Sequence, residues 1–259
     1  MPTLLFNKGF FVRIFLPTLD GKATRMWFLF NSLISPKKFI HLTNQTLPWL
    51  ITAFICLFSY GLVGGLMLAP ADYLQGDAFR IIYVHVPCAF LALFIYAMMA
   101  TAAFFGLVWR IKLAFMLIKH SAPLGAGFTF LSILTGSLWG KPMWGTWWIW
   151  DARLTSQLIL LFLYLGIILF QSAVAQKHSG ERAVALLVLV GSIDLPIIHY
   201  SVYWWNTLHQ GATLKLLSPS AIDNSMLYPL LAMITAFMIY YSIVIFLRLK
   251  HELIMKDKA

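Results

Sequence analysis

The chain has 259 residues, of which 61% are apolar and only 11% charged, and its mean hydropathy is +0.81. A soluble domain carries about a quarter charged residues, so this composition excludes a soluble globular protein and indicates an integral membrane protein. The net charge of +10 would suit a nucleic-acid partner, but the placement of the basic residues follows membrane topology instead.

Residues 1–46 are basic, with six Lys and Arg residues against the single acid Asp20. Their apolar patch, Phe10–Leu16, is broken by Arg13 and is too short to span a bilayer or to resemble a signal peptide. We therefore expect a cytoplasmic N-terminal arm that could lie on the membrane surface. Met26 could be an alternative start.

Six apolar runs follow the arm, and each approaches or exceeds the ~20 residues that a helix needs to cross the hydrocarbon. They lie at about 48–68, 84–109, 122–139, 158–175, 183–203 and 227–247. The predicted fold class is an all-α integral membrane protein with six transmembrane helices. Residues 47–250 would form a single membrane domain, followed by a cytoplasmic tail at 251–259.

The distribution of Lys and Arg predicts the orientation of these helices. Fifteen of the 19 basic residues fall in the N-terminal arm, the connections 110–121 and 176–182, and the C-terminal residues 248–259. The other four are Arg80, Lys141, Arg153 and Lys215. Both termini are therefore expected in the cytoplasm, with the connections 69–83, 140–157 and 204–226 on the outer face.

Five of the ten tryptophans fall between positions 139 and 150, in the outer connection between the third and fourth runs. If residues 144–151 are helical, Trp144, Trp147, Trp148 and Asp151 share one face, with Trp150 on its flank. An aromatic belt at the membrane surface would explain one or two tryptophans. Five, with Asp151 and Arg153 attached, favour a binding surface for a broad, flat, apolar ligand.

Two histidines, His85 and His209, belong to different outer connections and adjoin aromatic clusters. If residues 203–209 are helical, Trp205 and His209 stack at i, i+4. Such a pair beside an indole platform would suit bis-imidazole ligation of a haem iron. The alternative is that each histidine merely forms a hydrogen bond at a helix end, and the residues alone leave both readings open.

Two further ionisable residues, Asp194 and His199, lie within the fifth run, with Pro196 between them. Their spacing points them about 140° apart on a helix, so they do not form an obvious pair. Ionisable groups inside a membrane are functional candidates. Here an interior-facing structural role with a kink at Pro196 is the favoured interpretation.

Several charged residues near the tryptophans have more than one reading. Arg80, Lys141 and Arg153 could pair with the carboxylates of a haem. Asp151 could pair with one of these cations or cap the fourth helix. The two cysteines, Cys56 and Cys88, form neither a CxxC pair nor a CxxCH site, so the chain has no known motif for thiol exchange or covalent haem attachment.

Long motifs carry a family resemblance over about residues 26–250. They are Trp-Gly-Thr-Trp-Trp-Ile-Trp-Asp-Ala-Arg-Leu-Thr at 144–155, Ala-Pro-Ala-Asp-Tyr at 69–73, Phe-Arg-Ile-Ile-Tyr-Val-His-Val-Pro at 79–87, and Leu-Pro-Ile-Ile-His-Tyr-Ser-Val with Trp-Trp-Asn-Thr-Leu-His-Gln-Gly at 195–211. The sequence resembles the CcmC family of WWD-domain haem-handling membrane proteins, which act in bacterial cytochrome c maturation.

The resemblance implies a six-helix protein of the bacterial inner membrane whose haem site faces the periplasm. It implies non-covalent haem b with His85 and His209 as axial ligands. The same resemblance places Trp139, Trp144, Trp147, Trp148, Trp150 and Asp151 in the haem platform and marks Arg80 as important. The charge of Arg80 and Arg153 makes both candidate haem contacts. The resemblance also marks Asp72 and Gln75 as important.

The function that the resemblance implies is haem export and delivery to the chaperone CcmE, with CcmD and the ABC-type pair CcmA and CcmB as partners. The chain would be a transfer component and no enzyme, since it has no nucleophile–base arrangement. The alternatives are a cytochrome b-type electron-transfer subunit and a transporter of another amphipathic substrate.

Overall fold

The computed structural model describes residues 36–174, 180–209 and 222–258, and it is all-helical over these ranges apart from one isolated bridge between Asp72 and Gly76. Six of its helices are long and apolar enough to cross a membrane. The helices are α1 (Pro36–Val63), α2 (Ile82–Trp109), α3 (Lys112–Trp144), α4 (Ala152–Val174), α5 (Gly180–Gly191), α6 (Asp194–Trp204) and α7 (Asn224–Lys258). A π-helical turn, Gly64–Leu68, continues α1, and a 3-10 turn, Asp77–Ile81, leads into α2. Together α5 and α6 make the fifth span, so the prediction of six apolar helices is confirmed.

Several helices extend well beyond their predicted limits. The first begins at Pro36, so the end of the predicted arm is helical, whereas residues 1–35 lie outside the described residues. The predicted connection 110–121 shrinks to Arg110 and Ile111, and α7 takes in most of the predicted tail. Among the described residues, the lengthened ends of α3 and α7 hold each other, since Lys119 and His120 lie 3.0 and 2.6 Å from Glu252.

The core is built around α2, which packs against α3, α5 and α7 and buries residues along its whole length. Helix α4 contributes Tyr164 to this core, and the Tyr164 hydroxyl donates to the Ala92 carbonyl of α2 at 2.7 Å. The Tyr164 ring lies where a side chain on Gly125 of α3 would have to be, so only glycine permits this approach. The described residues from Gln45 onward form one compact unit around this core.

The fifth span is broken at Ser192 and Ile193. Pro196 explains the break, because a proline ring clashes with the carbonyl four residues earlier, which here belongs to Ser192. Asp194 opens α6 and is buried, and its Oδ2 atom has no hydrogen-bond partner among the described residues. His199 is exposed and packs edge-on against Tyr200, so the interior-facing role predicted for it is wrong. With Asp194 inside, the helical spacing turns His199 outward.

The tryptophan segment, residues 139–155, is not helical throughout, so the condition for Trp144, Trp147, Trp148 and Asp151 to share one helical face is not met. Helix α3 ends at Trp144 because Gly145 adopts a left-handed conformation with φ of 75°, a common way for a helix to stop. Residues 145–151 then cross to α4 without helical structure. Helix α6 ends at Trp204, so the helical condition for stacking of Trp205 on His209 is not met either.

Candidate functional site

A cavity of about 330 Å³ opens at the end of the bundle where α3 meets α4, within the ~300–1,000 Å³ usual for ligand sites. Its walls come from α2, α3 and the first turns of α4, together with the loop after α1 and the segment after α6. From His85 it runs down α2 to Leu93, about 12 Å along the helix axis. The deeper lining is apolar and includes Val86, Phe90 and Ile133. The cavity is therefore lined by aromatic and polar side chains near its opening and by apolar side chains at its deeper end.

His85 and His209 both line this cavity, although they are far apart in sequence. Their ring centres are 6.4 Å apart, with an angle of 39° between the ring planes. Imidazole–metal bonds of about 2.0 Å on either side of one ion, with about 1 Å from each nitrogen to its ring centre, require ring centres about 6 Å apart. The pair is therefore spaced to hold a single metal ion between two rings.

The Thr135 side chain on α3 fixes the tautomer of His85. The Thr135 hydroxyl donates its single hydrogen to the Leu131 carbonyl at 2.6 Å, so towards His85 Nδ1, at 3.1 Å, it can only accept. His85 therefore carries its proton on Nδ1, which leaves the lone pair on Nε2. Metal-binding histidines are commonly oriented in this way by a hydrogen bond from the other ring nitrogen.

His209 is held differently, through its backbone. Its N–H donates to Thr207 Oγ1 at 3.0 Å, and the Thr207 hydroxyl in turn donates to Asp151 Oδ2. The other oxygen of Asp151 accepts the backbone N–H of Leu154 at 2.8 Å, so Asp151 caps α4. Of the two roles that the sequence left open for Asp151, the structure shows the helix cap.

The Trp139 indole is locked against His85 by the loop after α1. Asp72 Oδ1 accepts the backbone N–H groups of Leu74 and Gln75 at 2.9 and 2.8 Å, which closes a tight turn. Gln75 then accepts a hydrogen bond from Trp139 Nε1 at 2.9 Å. Trp139 meets the His85 ring edge-on at 5.7 Å between ring centres.

The tryptophans of the segment divide into two groups. Trp139, Trp144 and Trp148 line the cavity, and Trp144 lies 6.4 Å from the His209 ring centre. Trp147 and Trp150 do not line it and are 54% and 74% exposed. The tryptophans predicted to form one platform thus divide into three that line the cavity and two that are exposed outside it.

The two candidate cations Arg80 and Arg153 occupy different places relative to the cavity. Arg153 lines the cavity and donates to the Ile198 carbonyl at 3.1 Å, which leaves further guanidinium donors for a ligand. Arg80 lies outside the cavity lining, where it donates to the carbonyls of Gly65 and Leu66 at 3.1 and 3.0 Å and pairs with Asp77. In this structure Arg80 ties the end of the first span to the 3-10 turn.

Sequence reasoning missed three polar residues that matter at this site: Thr135, Thr207 and Gln157. Gln157 lines the cavity beside Trp148, and among the described residues both carry a buried side-chain nitrogen without a hydrogen-bond partner. The Thr-Leu-His spacing at 207–209 was a local signal, since threonine hydroxyls often accept the backbone N–H two residues on. Thr135 and Gln157 gave no such signal, because their roles depend on neighbouring helices.

Comparison with known proteins supplies the family. The family model described as CcmC, heme exporter protein C, matches residues 29–259. The chain belongs to the heme exporter protein C family. Heme exporter protein C of Escherichia coli K12 is 46% identical over 233 residues, which cover 90% of this chain and 94% of the relative. Heme exporter protein C of Bradyrhizobium diazoefficiens is 50% identical over 209 residues, or 81% of this chain and 79% of the relative.

A relative outside the bacteria also matches. A Marchantia polymorpha protein, provisionally described as a cytochrome c biosynthesis ccmC-like mitochondrial protein, is 43% identical over 189 residues, covering 73% of this chain and 77% of the relative. The family resemblance predicted from the motifs is thereby confirmed.

Proposed function

We propose that this protein binds haem non-covalently between His85 and His209 at the periplasmic face of the bacterial inner membrane. It delivers that haem to the chaperone CcmE during the maturation of c-type cytochromes. It acts as a transport component and relies on the ABC-type partners CcmA and CcmB, with CcmD, for the energy-dependent step. The names of its relatives support haem handling and cytochrome c biosynthesis.

The observation that carries this proposal is the spacing of the two imidazoles. Their ring centres, 6.4 Å apart, match the separation that a six-coordinate iron with two axial nitrogens demands. A haem needs broad apolar walls as well, and Trp139, Trp144 and Trp148 supply them. An unrelated pair of histidines at helix ends would have no reason to meet across an indole-lined cavity.

The polarity of the cavity fits an amphipathic macrocycle. Its apolar floor, formed by residues such as Phe90 and Leu93, suits the hydrocarbon edge of a haem. Hydrogen-bond donors from Arg153, Gln157 and Trp148 stand on another wall, and two of these have no partner among the described residues. Carboxylates such as the haem propionates are the complement of that donor set.

The exposed tryptophans suggest where the chaperone docks. Trp147 and Trp150 flank the cavity mouth without lining it, and interfaces are enriched in such aromatic side chains. Lys141 holds Trp147 in place, with its ammonium 5.8 Å from the indole centre. A partner covering these two indoles would sit directly beside the mouth of the cavity.

The orientation rests on the basic residues. Six spans put both ends of the chain on one side of the membrane, and the excess of Lys and Arg assigns that side to the cytoplasm. The end where α3 meets α4 then faces the periplasm. Haem held there would be within reach of a periplasmic chaperone.

The proposal is tested by haem transfer. The full-length protein, expressed with ample haem and purified in detergent, should show the absorption spectrum of low-spin, bis-imidazole haem. Addition of haem-free CcmE, together with CcmA, CcmB, CcmD and ATP, should then move haem from this chain to the chaperone, as separated by affinity capture. The control is the double variant His85→Ala/His209→Ala, which should contain no haem after purification. Purification of the wild-type chain without haem, or retention of all its haem beside CcmE, would overturn the proposal.

A further inference from the structure

We propose that Asp151 and Thr207 form a latch that positions His209, so that Asp151, directly after Trp150, controls how firmly the second imidazole stays on the iron. This inference rests on the proposed function, because it takes His209 as an iron ligand. Asp151 acts in it as a positioning residue and makes no contact with haem. That role differs from membership of the haem platform, which the family resemblance implies for Asp151.

The latch is a chain of hydrogen bonds with a fixed direction. Asp151 Oδ1 is committed to the Leu154 N–H, so Oδ2 is the oxygen that accepts from the Thr207 hydroxyl. A hydroxyl has one hydrogen, so the contact between Thr207 Oγ1 and the His209 N–H, at 3.0 Å, uses a lone pair of that oxygen. Each group in this series of hydrogen bonds has one role. Asp151, Thr207 and His209 are thereby connected from the start of α4 to the second imidazole.

The two histidines differ in how the fold supports them. His85 belongs to α2, the most buried helix of the bundle, so its backbone is fixed by the helix itself. His209 follows the end of α6 at Trp204, and residues 205–209 have no helical structure. Its place opposite His85 therefore depends on hydrogen bonds to side chains, such as the one that its backbone N–H donates to Thr207. Asp151 and Thr207 are both partly buried, which shields their bond from competing water.

The latch also connects the second ligand to the rest of the site. Asp151 caps α4, and the first turns of that helix place Arg153, Leu154 and Gln157 in the cavity lining. Trp148 and Trp150 lie just before it in the chain, in the non-helical crossing. A partner that displaced this crossing would strain the bond to Thr207 and weaken the hold on His209. This coupling would explain why Asp151 directly follows Trp150 in the sequence.

Asp151 itself lies outside the cavity lining, which separates the latch from a direct haem contact. A capping role alone would need only one carboxylate oxygen. The second oxygen is the one that reaches across to the segment after α6. Asparagine caps helices as well as aspartate does, so Asp151→Asn keeps the cap and removes the charged acceptor.

Three variants test the latch, with a matched control. Thr207→Val removes the hydroxyl at nearly constant shape, and Thr207→Ser restores a hydroxyl. Asp151→Asn keeps the capping oxygen but replaces Oδ2 by an NH2 group, which cannot accept from the Thr207 hydroxyl. Asp223→Asn is the control, since Asp223 caps the start of α7 and accepts from Ser225 at 2.6 Å, outside the cavity lining. All four are made in the full-length chain.

The first measurement needs no haem. Hydrogen–deuterium exchange of the His209 amide, followed in the haem-free protein, should speed up about 10- to 100-fold in Thr207→Val, because the amide loses its acceptor. Thr207→Ser and Asp223→Asn should match the wild type, and Asp151→Asn should fall in between. Exchange in Thr207→Val equal to the wild type would overturn the latch.

The second measurement uses the haem-loaded protein. Carbon monoxide binds ferrous haem only when an axial imidazole leaves, so its binding rate reports how often His209 departs. That rate should rise about 10- to 100-fold in Thr207→Val and in Asp151→Asn, as expected when a hydrogen bond to a charged acceptor is lost. It should be unchanged in Thr207→Ser and Asp223→Asn. Faster amide exchange without faster carbon monoxide binding would overturn the claim that the latch controls the iron ligand.

Failure of the proposed function gives a different pattern. A wild-type protein that never shows a bis-imidazole spectrum would remove His209 from the iron, and the latch would lose its stated purpose. The haem-free exchange data would still show whether Thr207 holds the His209 backbone. The two failures are therefore distinguishable.

Discussion

Replacing Thr135 by Val probes the support of the first imidazole without touching the cavity lining. Valine has nearly the shape of threonine but no hydroxyl, so the Nδ1–H of His85 loses the acceptor that now lies 3.1 Å away. The His85 ring is then held less firmly, which weakens it as a ligand. Loss of such an outer partner typically lowers metal affinity about 10- to 100-fold. This corresponds to about 1.4–2.8 kcal/mol of binding free energy.

The assay is the rate at which haem leaves the purified protein for an excess of haem-free myoglobin. We expect Thr135→Val to lose haem about 10- to 100-fold faster than the wild type, and Thr135→Ser to behave like the wild type. Thr129→Val is the matched control on the same helix, because the Thr129 hydroxyl is buried and bonds to the Gly125 carbonyl. Equal haem loss from Thr135→Val and Thr129→Val would refute the argument that Thr135 sets the tautomer of His85.

Three further predictions concern the loop after α1, the exposed indoles and the topology. Gln75→Leu removes the acceptor of Trp139 Nε1, so haem retention should fall several-fold while the protein still folds, as checked by size-exclusion chromatography; unchanged retention would show that Trp139 needs no such support. Replacing Trp147 and Trp150 together by Ala should leave haem content unchanged and slow loading of CcmE, because both side chains lie outside the cavity lining; loss of bound haem in this variant would place them in the haem site instead. A reporter fused after Lys177 should be cytoplasmic and one after Lys215 periplasmic, and finding both on one side would contradict six spans.

The fold was predictable where a single physical quantity decides it. Apolar length fixed the number of spans, because a backbone in lipid must satisfy its hydrogen bonds within each helix. The limits of the helices were less accessible. The connection predicted at 110–121 is helical from Lys112 onward, and there Lys119 and His120 pair with Glu252 of α7. Such pairing between distant helices leaves no local pattern in the sequence.

The candidate site was predictable in its chemistry and less so in its geometry. His85 and His209 were identified as a pair from residue type and resemblance, and the structure brings their rings together. The helical interpretation of the tryptophan segment failed at Gly145, although glycine is a common signal for the end of a helix. Thr135 could not be found from sequence, since its role depends on how α3 lies against α2.

The central claim is that His85 and His209 are the two axial ligands of one haem iron. The most direct test is the low-temperature electron paramagnetic resonance and absorption spectrum of the oxidised, haem-loaded chain, beside His85→Ala, His209→Ala and His199→Ala. The wild type and His199→Ala should both give the low-spin bis-imidazole signal, because the exposed His199 lies outside the cavity lining. His85→Ala and His209→Ala should each lose that signal and bind less haem. A bis-imidazole signal that survives in His209→Ala but disappears in His199→Ala would contradict the assignment.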